Sequence, residues 1–221
     1  MHPQALIDPL SATIVVGGTL LATFLRCGPS DCRVALGVMV SLGRSRFNAE
    51  RARSELATHV QAIRRDGLLR AQPHHFGDAE FDEACDSLAE TQSLTALRDA
   101  HRNHRHKRQD RNRRAVDVFA QAAEMAPVFG LAGTLISLSQ LPPGGAASGD
   151  FTSAIGMAVI TTLYGLLLGN VLFAPLARLV ERTGNAEEHE RQTVVDWLEA
   201  QIAPAVPRLH DSKHASEKAR A

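Results

Sequence analysis

The side chains whose type and position could contact a polar ligand are three threonines inside long uncharged segments: Thr134, Thr161 and Thr162. Polar groups at membrane depth often line ion paths, so these hydroxyls are candidate ion-pathway residues. A threonine within a helix also donates to a carbonyl of its own helix, and the hydroxyls alone do not separate the two roles. No carboxylate lies deep in either segment, because Glu124 and Asp150 stand at the ends. If the chain moves ions, we expect the central titrating carboxylate to come from a partner.

Other reactive side chains do not form a recognisable catalytic or metal site. Cys27 and Cys32 have a C-x₄-C spacing without a second pair, so these two and Cys85 are predicted to be reduced thiols. Five histidines lie among arginines and prolines without a clear ligand face, and we expect them to be solvated: His74, His75, His101, His104 and His106. No nucleophile elbow, phosphate loop or dinucleotide fingerprint occurs. The chain is therefore predicted not to be an enzyme and to hold no cofactor.

A stripe of small residues runs along each of the two threonine-bearing segments. Gly130 shares one stripe with Ala126, Thr134 and Ser137, while Gly165 and Gly169 form a GxxxG pattern in the other. Small residues let helices approach closely in lipid, so these three glycines are candidate packing positions. Pro127 removes one backbone hydrogen bond from its helix and is a candidate hinge.

The elements that position these residues follow from the charge distribution. No charged residue occurs in 9–25, 125–149 or 151–177, and a bilayer core needs about 20 mostly apolar helical residues. We predict an all-α integral membrane protein with three transmembrane helices. A fourth apolar patch, 34–42, is too short to span. The alternative is a soluble all-α protein with these helices buried, but three such runs are hard to bury in so short a chain.

Basic flanks orient the spans. Residues 102–114 hold seven Lys and Arg side chains just before the second span, whereas the loop 142–150 holds none. The first and last spans are each followed by two arginines: Arg26, Arg33, Arg178 and Arg182. Short basic segments prefer the cytoplasm, so the N-terminus is expected outside, with the insert and the C-terminus in the cytoplasm. Basic runs also bind nucleic acid, but the adjacent span and 24 basic against 24 acidic residues argue against that partner. An external N-terminus without a preceding span suggests a missing upstream helix.

The polar parts are predicted to be helical. Leu56, Val60 and Ile63 recur at near-helical spacing, with breaks expected at Gly67 and at 72–73. A second amphipathic element is expected from Phe81, Ala84, Leu88, Leu94 and Leu97, and a third from Val194, Leu198 and Ile202 beside Trp197. Residues 1–43 are predicted to hold an N-terminal span (about 9–25) and a short apolar element, and 44–114 form a cytoplasmic helical insert. Residues 115–182 form a hairpin of two spans, at about 118–141 and 151–177. An amphipathic helix (183–207) and a disordered tail (208–221) follow.

The hairpin resembles a known family. APVFGLAGTLISL (126–138) and AVITTLYGLLLGNVLFAPLA (158–177) resemble the MotA/TolQ/ExbB ion-channel family. The first span, IVVGGTLLATFL (14–25), is similar to the second helix of MotA-type stator subunits, and the insert matches mainly in RRDGLL (64–69).

The resemblance implies a ring of about five copies in the bacterial inner membrane, surrounding two single-span MotB-like or ExbD-like partners that each bring a membrane aspartate. Ion passage would then drive ring rotation. Pro127 matches the family's proline at the head of this span, and Thr134 and Thr162 match threonines that face the aspartate, with Thr161 adjacent. The transported ion is H⁺ or Na⁺, with protons preferred. Arg64 and Arg65 are candidate cytoplasmic contacts or a solvated helix face.

Three departures from the flagellar pattern leave the driven process open. The first MotA-type helix is absent, Ser153 replaces an expected proline, and an expected acidic pair falls on Gln72 and Pro73. The first alternative is therefore an ExbB/TolQ-like energiser of outer-membrane transport or envelope processes. The second is a non-conducting membrane scaffold that lost motor function with the missing helix.

Overall fold

A computed structural model describes residues 8–43, 47–66, 78–91, 93–141 and 148–204. Within these ranges the backbone is helical, without a strand, and the all-α prediction is confirmed. The helices are α1 (Pro9–Leu42), α2 (Ala49–Asp66), α3 (Ala79–Thr91), α4 (Leu94–Ser139), α5 (Ser148–Leu167) and α6 (Ala174–Ile202), with a π-helical segment (Leu168–Phe173) between α5 and α6.

Three helical stretches are long and apolar enough to cross a membrane: Ser11–Leu42, Leu94–Ser139 and Phe151–Ile202. Many of their large apolar side chains point outward, and Leu25 is 74% exposed. Exposed apolar surface of this extent is typical of contact with lipid or neighbouring subunits. The prediction of an integral membrane protein with three spanning helices is confirmed.

The first span and the short apolar patch belong to one interrupted helix. Asp8 caps α1 by accepting hydrogen bonds from the backbone amide and the hydroxyl of Ser11. Gly28 breaks the helix with φ 82° and ψ 163°, a region that only glycine adopts without strain. Pro29 follows, and a residue before proline avoids the helical region. The break thus separates the predicted span from the 34–42 patch.

Two helices continue through boundaries that the charge pattern predicts. α4 runs without interruption from the predicted insert into the second span, and α6 runs from the last span into the predicted amphipathic helix. The change from charged to apolar residues at 115 reflects what surrounds the helix, water or lipid, and the backbone remains helical through it. Gly184 stays within α6, where a Cβ would meet the Asn112 side chain at 2.3 Å.

The chain divides into two compact units. The first comprises residues 1–44 and 110–184, and it contains all three threonines of the candidate pathway. Its apolar core joins α1, α4 and α6 through Ala35, Val38, Ala115, Val118, Phe119, Ala177 and Val180.

The second unit comprises residues 45–109 and 185–221. Asn48, Asp78 and Ser93 accept backbone hydrogen bonds at the starts of α2, α3 and α4. The second predicted amphipathic element is thus two helices, because Ser93 starts α4. The apolar core of the second unit includes Leu56, Phe81, Leu88, Leu97 and Leu198, each at most 1% exposed. Burial of each such side chain contributes about 1.5–3 kcal/mol.

The predicted stripe on the last helix is confirmed, since Val194, Leu198 and Ile202 are buried with Trp197 packed against them. The prediction of solvated histidines is wrong for His101, which is 5% exposed, because α3 and α6 cover that face of α4. His104 is half-buried and bonded to Glu83. The breaks predicted at Gly67 and 72–73, His74 and His75, and the tail 208–221 lie outside the described residues.

Candidate ion pathway

The second span in α4 and the third span in α5 meet at glycines. A Cβ on Gly130 would lie 3.1 Å from the Thr161 carbonyl oxygen, and a Cβ on Gly165 would lie 2.6 Å from the Ala126 carbonyl oxygen. Gly133 faces the Thr161 side chain, with Cβ and Cγ2 both at 2.9 Å from its would-be Cβ. At Gly130 and Gly165 no larger residue fits without displacing backbone, so the small-residue stripes hold the two helices at close range.

The same contact continues toward the π-helical segment. A Cβ on Gly169 would lie 2.7 Å from the Ala123 carbonyl oxygen and 3.1 Å from Cδ of Pro127. Pro127, the predicted hinge, lies within the continuous helix α4 and removes one of its backbone hydrogen bonds. The structure thus places two irregular backbone features side by side, a proline and a π-helical turn.

The three candidate threonines differ in position. Thr161 is 1% exposed and fills the space beside Gly133, whereas Thr134 and Thr162 are half-buried. Their hydroxyls donate to carbonyls of their own helices: Thr134 to Leu131 (2.7 Å), and Thr161 and Thr162 to Ala158 (2.9 and 3.2 Å). A hydroxyl that donates to the backbone keeps lone pairs that can accept a hydrogen bond or coordinate a cation.

The first span adds polar residues that sequence reasoning missed. Thr19 and Thr23 are buried in α1 and donate to the Val15 and Thr19 carbonyls at 2.6 and 2.8 Å. Gly18 lies against the Phe129 ring, which a Cβ would meet at 2.2 Å. The glycine pair and the following threonine in VVGGTL were the available signal, because a small and polar stripe within a span indicates a helix contact.

The candidate cytoplasmic contacts lie in the last turn of α2. Arg65 is exposed, and the side chain of Arg64 is outside what the structure describes. Among the described residues, no group of three or more His, Cys, Asp or Glu side chains is arranged to hold a metal ion.

These features define an all-α membrane protein whose last two spans pack tightly through glycines, with threonines beside the contact and no charged residue in 125–139 or 151–177. The profile of the MotA/TolQ/ExbB proton channel family matches residues 71–193, and the chain belongs to that family.

Relatives align over most of the chain. The chemotaxis protein PomA of Vibrio alginolyticus is 24% identical over 93% of this chain and 82% of its own length. Motility protein A of Bacillus subtilis (strain 168) is 23% identical over 95% of this chain and 79% of its own. The solved structure of the flagellar MotAB stator complex from Bacillus subtilis has the same fold, with a TM-score of 0.81, 23% identity and coverage of 95% of this chain and 84% of that one.

Proposed function

We propose that this chain is the ion-conducting, stator-type subunit of a proton- or sodium-driven motor in the bacterial inner membrane. Its partner would be a single-span protein that carries a membrane carboxylate. The observation that carries the proposal is the uncharged contact between the last two spans, where two glycines bring the helices together and two threonines remain half-buried. Membership of the proton channel family and the motility proteins among its relatives support it.

The mechanism follows from what the spans lack. A carboxylate at membrane depth is costly while charged, so a partner aspartate would bind an ion from outside and be neutralised. Thr134 and Thr162 offer hydroxyl oxygens on side chains that the chain does not fully bury. The neutralised group would pass them and release its ion to the cytoplasm, with one step of ring rotation for each release. Thr161 has a packing role in this account, because its side chain fills the contact with Gly133.

The proposed topology places the N-terminus in the periplasm and the second unit, which contains the insert and the end of α6, in the cytoplasm. Its support is the exposed arginines beside the ends of the spans: Arg26, Arg33, Arg111, Arg113, Arg114, Arg178 and Arg182. The exposed apolar faces of α1, α4 and α5 would be covered by lipid and by further copies of the chain, about five in a ring around the partner.

The driven process is either flagellar rotation or an envelope process of the ExbB/TolQ type. The motility proteins among the relatives support the first possibility, and the absence of an acidic pair at Gln72 and Pro73 keeps the second as the alternative. The chemistry of the partner distinguishes the two. A partner with a peptidoglycan-binding domain indicates a cell-wall-anchored stator, and a small ExbD-like periplasmic domain indicates the energiser.

The test is ion flux into liposomes that contain the chain and its single-span partner under an imposed gradient. We expect partner-dependent flux that Thr162→Leu abolishes, because the substitution removes the hydroxyl from the path. Thr162→Ser is the matched control and should retain flux. Unchanged flux in Thr162→Leu would exclude the assigned pathway, and no flux from the assembled wild-type complex would favour a non-conducting scaffold.

A further inference from the structure

A cluster of buried charges joins three helices of the second unit. Glu80 of α3 is 2% exposed, and His101 of α4 is 5% exposed. His101 Nδ1 lies 2.5 Å from Glu80 Oε1, and its Nε2 lies 3.0 Å from Oε1 of Gln192 on α6. We call these residues, with Arg108, Glu188 and Arg191, the buried charge cluster.

Both nitrogens of the His101 ring face acceptors. Glu80 is a carboxylate, and the orientation of the Gln192 amide is fixed by two further bonds. Its Nε2 donates to Asp196 Oδ1 at 2.8 Å, and its Oε1 accepts from Arg105 at 3.2 Å. A neutral imidazole has one N–H and can satisfy only one of these acceptors. The geometry therefore fits the doubly protonated imidazolium.

The charges of the groups around His101 also favour its protonated form. Arg108 donates to Glu80 and, at 3.0 Å, to Glu188, while Arg191 donates to Glu80 at 2.7 Å. The cluster and its direct ion-pair partners include four carboxylates, Asp78, Glu80, Glu187 and Glu188. They include three guanidinium groups, Arg105, Arg108 and Arg191. A protonated His101 supplies the fourth positive charge. Farther out on the same helices are Asp196 and the Glu83–His104 pair. Arg53 of the neighbouring helix α2 donates to the Thr193 carbonyl at 3.5 Å.

The pKa directions fit this arrangement. The hydrogen bond to Glu80 raises the pKa of His101, against burial, which lowers it. Burial alone would raise the pKa of Glu80, but hydrogen bonds from His101 and Arg108 hold it at about 2. Near neutral pH, Glu80 is therefore charged, and the proton of His101 is bound more firmly than on an ordinary imidazole. Its stabilisation is complete below 6.5, its ordinary value, and is lost as the pH rises through the raised pKa.

We propose that His101 is a proton-binding site through which pH determines how firmly α3 is held against α4 and α6. With the proton bound, His101 donates to Glu80 and Gln192 together. When the proton leaves, a positive charge and one donor are lost inside the cluster, and either Glu80 or Gln192 keeps only its bond from an arginine. Arg108 and Arg191 then hold Glu80 without the third cation. Alkalinisation thus loosens α3. The inference relies on the proposed function only for placing this unit in the cytoplasm.

Hydrogen exchange of the full-length protein in detergent, corrected for intrinsic rates, tests the proposal. As the pH rises through the raised pKa of His101, the protection of the α3 amides should fall. His101→Gln should show low protection across the whole range. His104→Gln, which alters a more exposed histidine on the same helix, should retain the wild-type profile. The proposal would be overturned if the protection of α3 in the wild type did not change with pH. It would also be overturned if His104→Gln abolished the pH dependence and His101→Gln did not.

A second measurement does not depend on the folding of a variant. The ¹⁵N chemical shifts of the His101 ring in the wild-type protein should show two protonated nitrogens in acid and a deprotonation midpoint above 6.5, the ordinary value. A midpoint at or below 6.5 would contradict the proposal. Neither experiment measures ion flux, so a failure of the conduction hypothesis can be distinguished from a failure of this proposal.

Discussion

Gly130 and Gly165 face each other across the contact between the last two spans, where a Cβ on Gly165 would lie 2.9 Å from the Gly130 Cα. Two helices at this range have no room for a side chain between them. The stripes therefore determine the separation of the two spans that carry Thr134 and Thr162. The proposed conduction path depends on that spacing.

Substitution of Gly165 by alanine should disturb this spacing. Its Cβ would lie 2.6 Å from the Ala126 carbonyl oxygen, and backbone cannot yield cheaply. Overpacking of this kind costs about 1–3 kcal/mol, which should lower the thermal midpoint in detergent by several degrees. Gly156→Ala is the matched control in the same helix, because nothing lies within 4 Å of its Cβ position. Equal midpoints for the two variants would show that the glycine contact does not limit packing.

The break in α1 should require glycine. Gly28→Ala places a side chain at φ 82° and should destabilise the protein by about 1–3 kcal/mol. Gly37→Ala lies in the same helix with open space around it, and alanine there should be neutral or stabilising by up to about 1 kcal/mol. Thermal unfolding of both variants in detergent tests the difference. A stable Gly28→Ala variant would contradict the role assigned to the break.

Glu80 should make the largest charge contribution to stability in the second unit. Glu80→Gln leaves buried His101 and half-buried Arg108 and Arg191 without their shared carboxylate, and breaking a buried pair costs about 3–5 kcal/mol. Glu90→Gln, on an exposed position of α3, is the control and should change little. Denaturant unfolding of both variants at pH 7 measures the effect.

The stability difference between wild type and Glu80→Gln should depend on pH and become smaller in acid. The pKa of Glu80 is held at about 2, below its ordinary 4.5, so its contribution is present above 4.5 and disappears as the pH falls toward 2. The difference in stability between wild type and Glu80→Gln should therefore shrink over that interval. A difference that stays constant down to pH 2 would mean that the carboxylate charge is not the source of stability.

The thiols should differ in reactivity. Burial raises the pKa of Cys85 to about 12, whereas Cys27 and Cys32 are only half-buried. A thiol reacts as its thiolate, and Cys85 is buried with a raised pKa, so maleimide should label it far more slowly than the two half-buried thiols. Peptide mass spectrometry after timed labelling of the folded protein provides the rates. Comparable rates would show that the core around Cys85 opens readily.

The membrane architecture was predictable because charge exclusion from lipid is a strong constraint on sequence. The runs without charge marked the three spans, and the spacing of Gly130, Gly165 and Gly169 marked small-residue faces that the structure brings into contact. That α4 continues from the insert into the second span could not be predicted in this way. The residues where the insert meets the span form a helix equally well in water and in lipid.

The buried charge cluster was missed for another reason. His101, Arg105 and Arg108 recur at helical spacing, and a polar stripe of this kind usually faces solvent. Its burial depends on Glu80 and Glu188, which lie on other helices and are distant in sequence. Only the tertiary arrangement shows that these charges neutralise one another.

The central claim is that this chain conducts ions as a ring around a partner that brings the carboxylate. The most direct test is the native mass of the protein extracted from its own host in mild detergent, with co-purifying chains identified. The account predicts a complex of about five copies holding a single-span protein with an aspartate in its membrane segment. A monomer or dimer without such a partner would contradict it and favour a non-conducting scaffold.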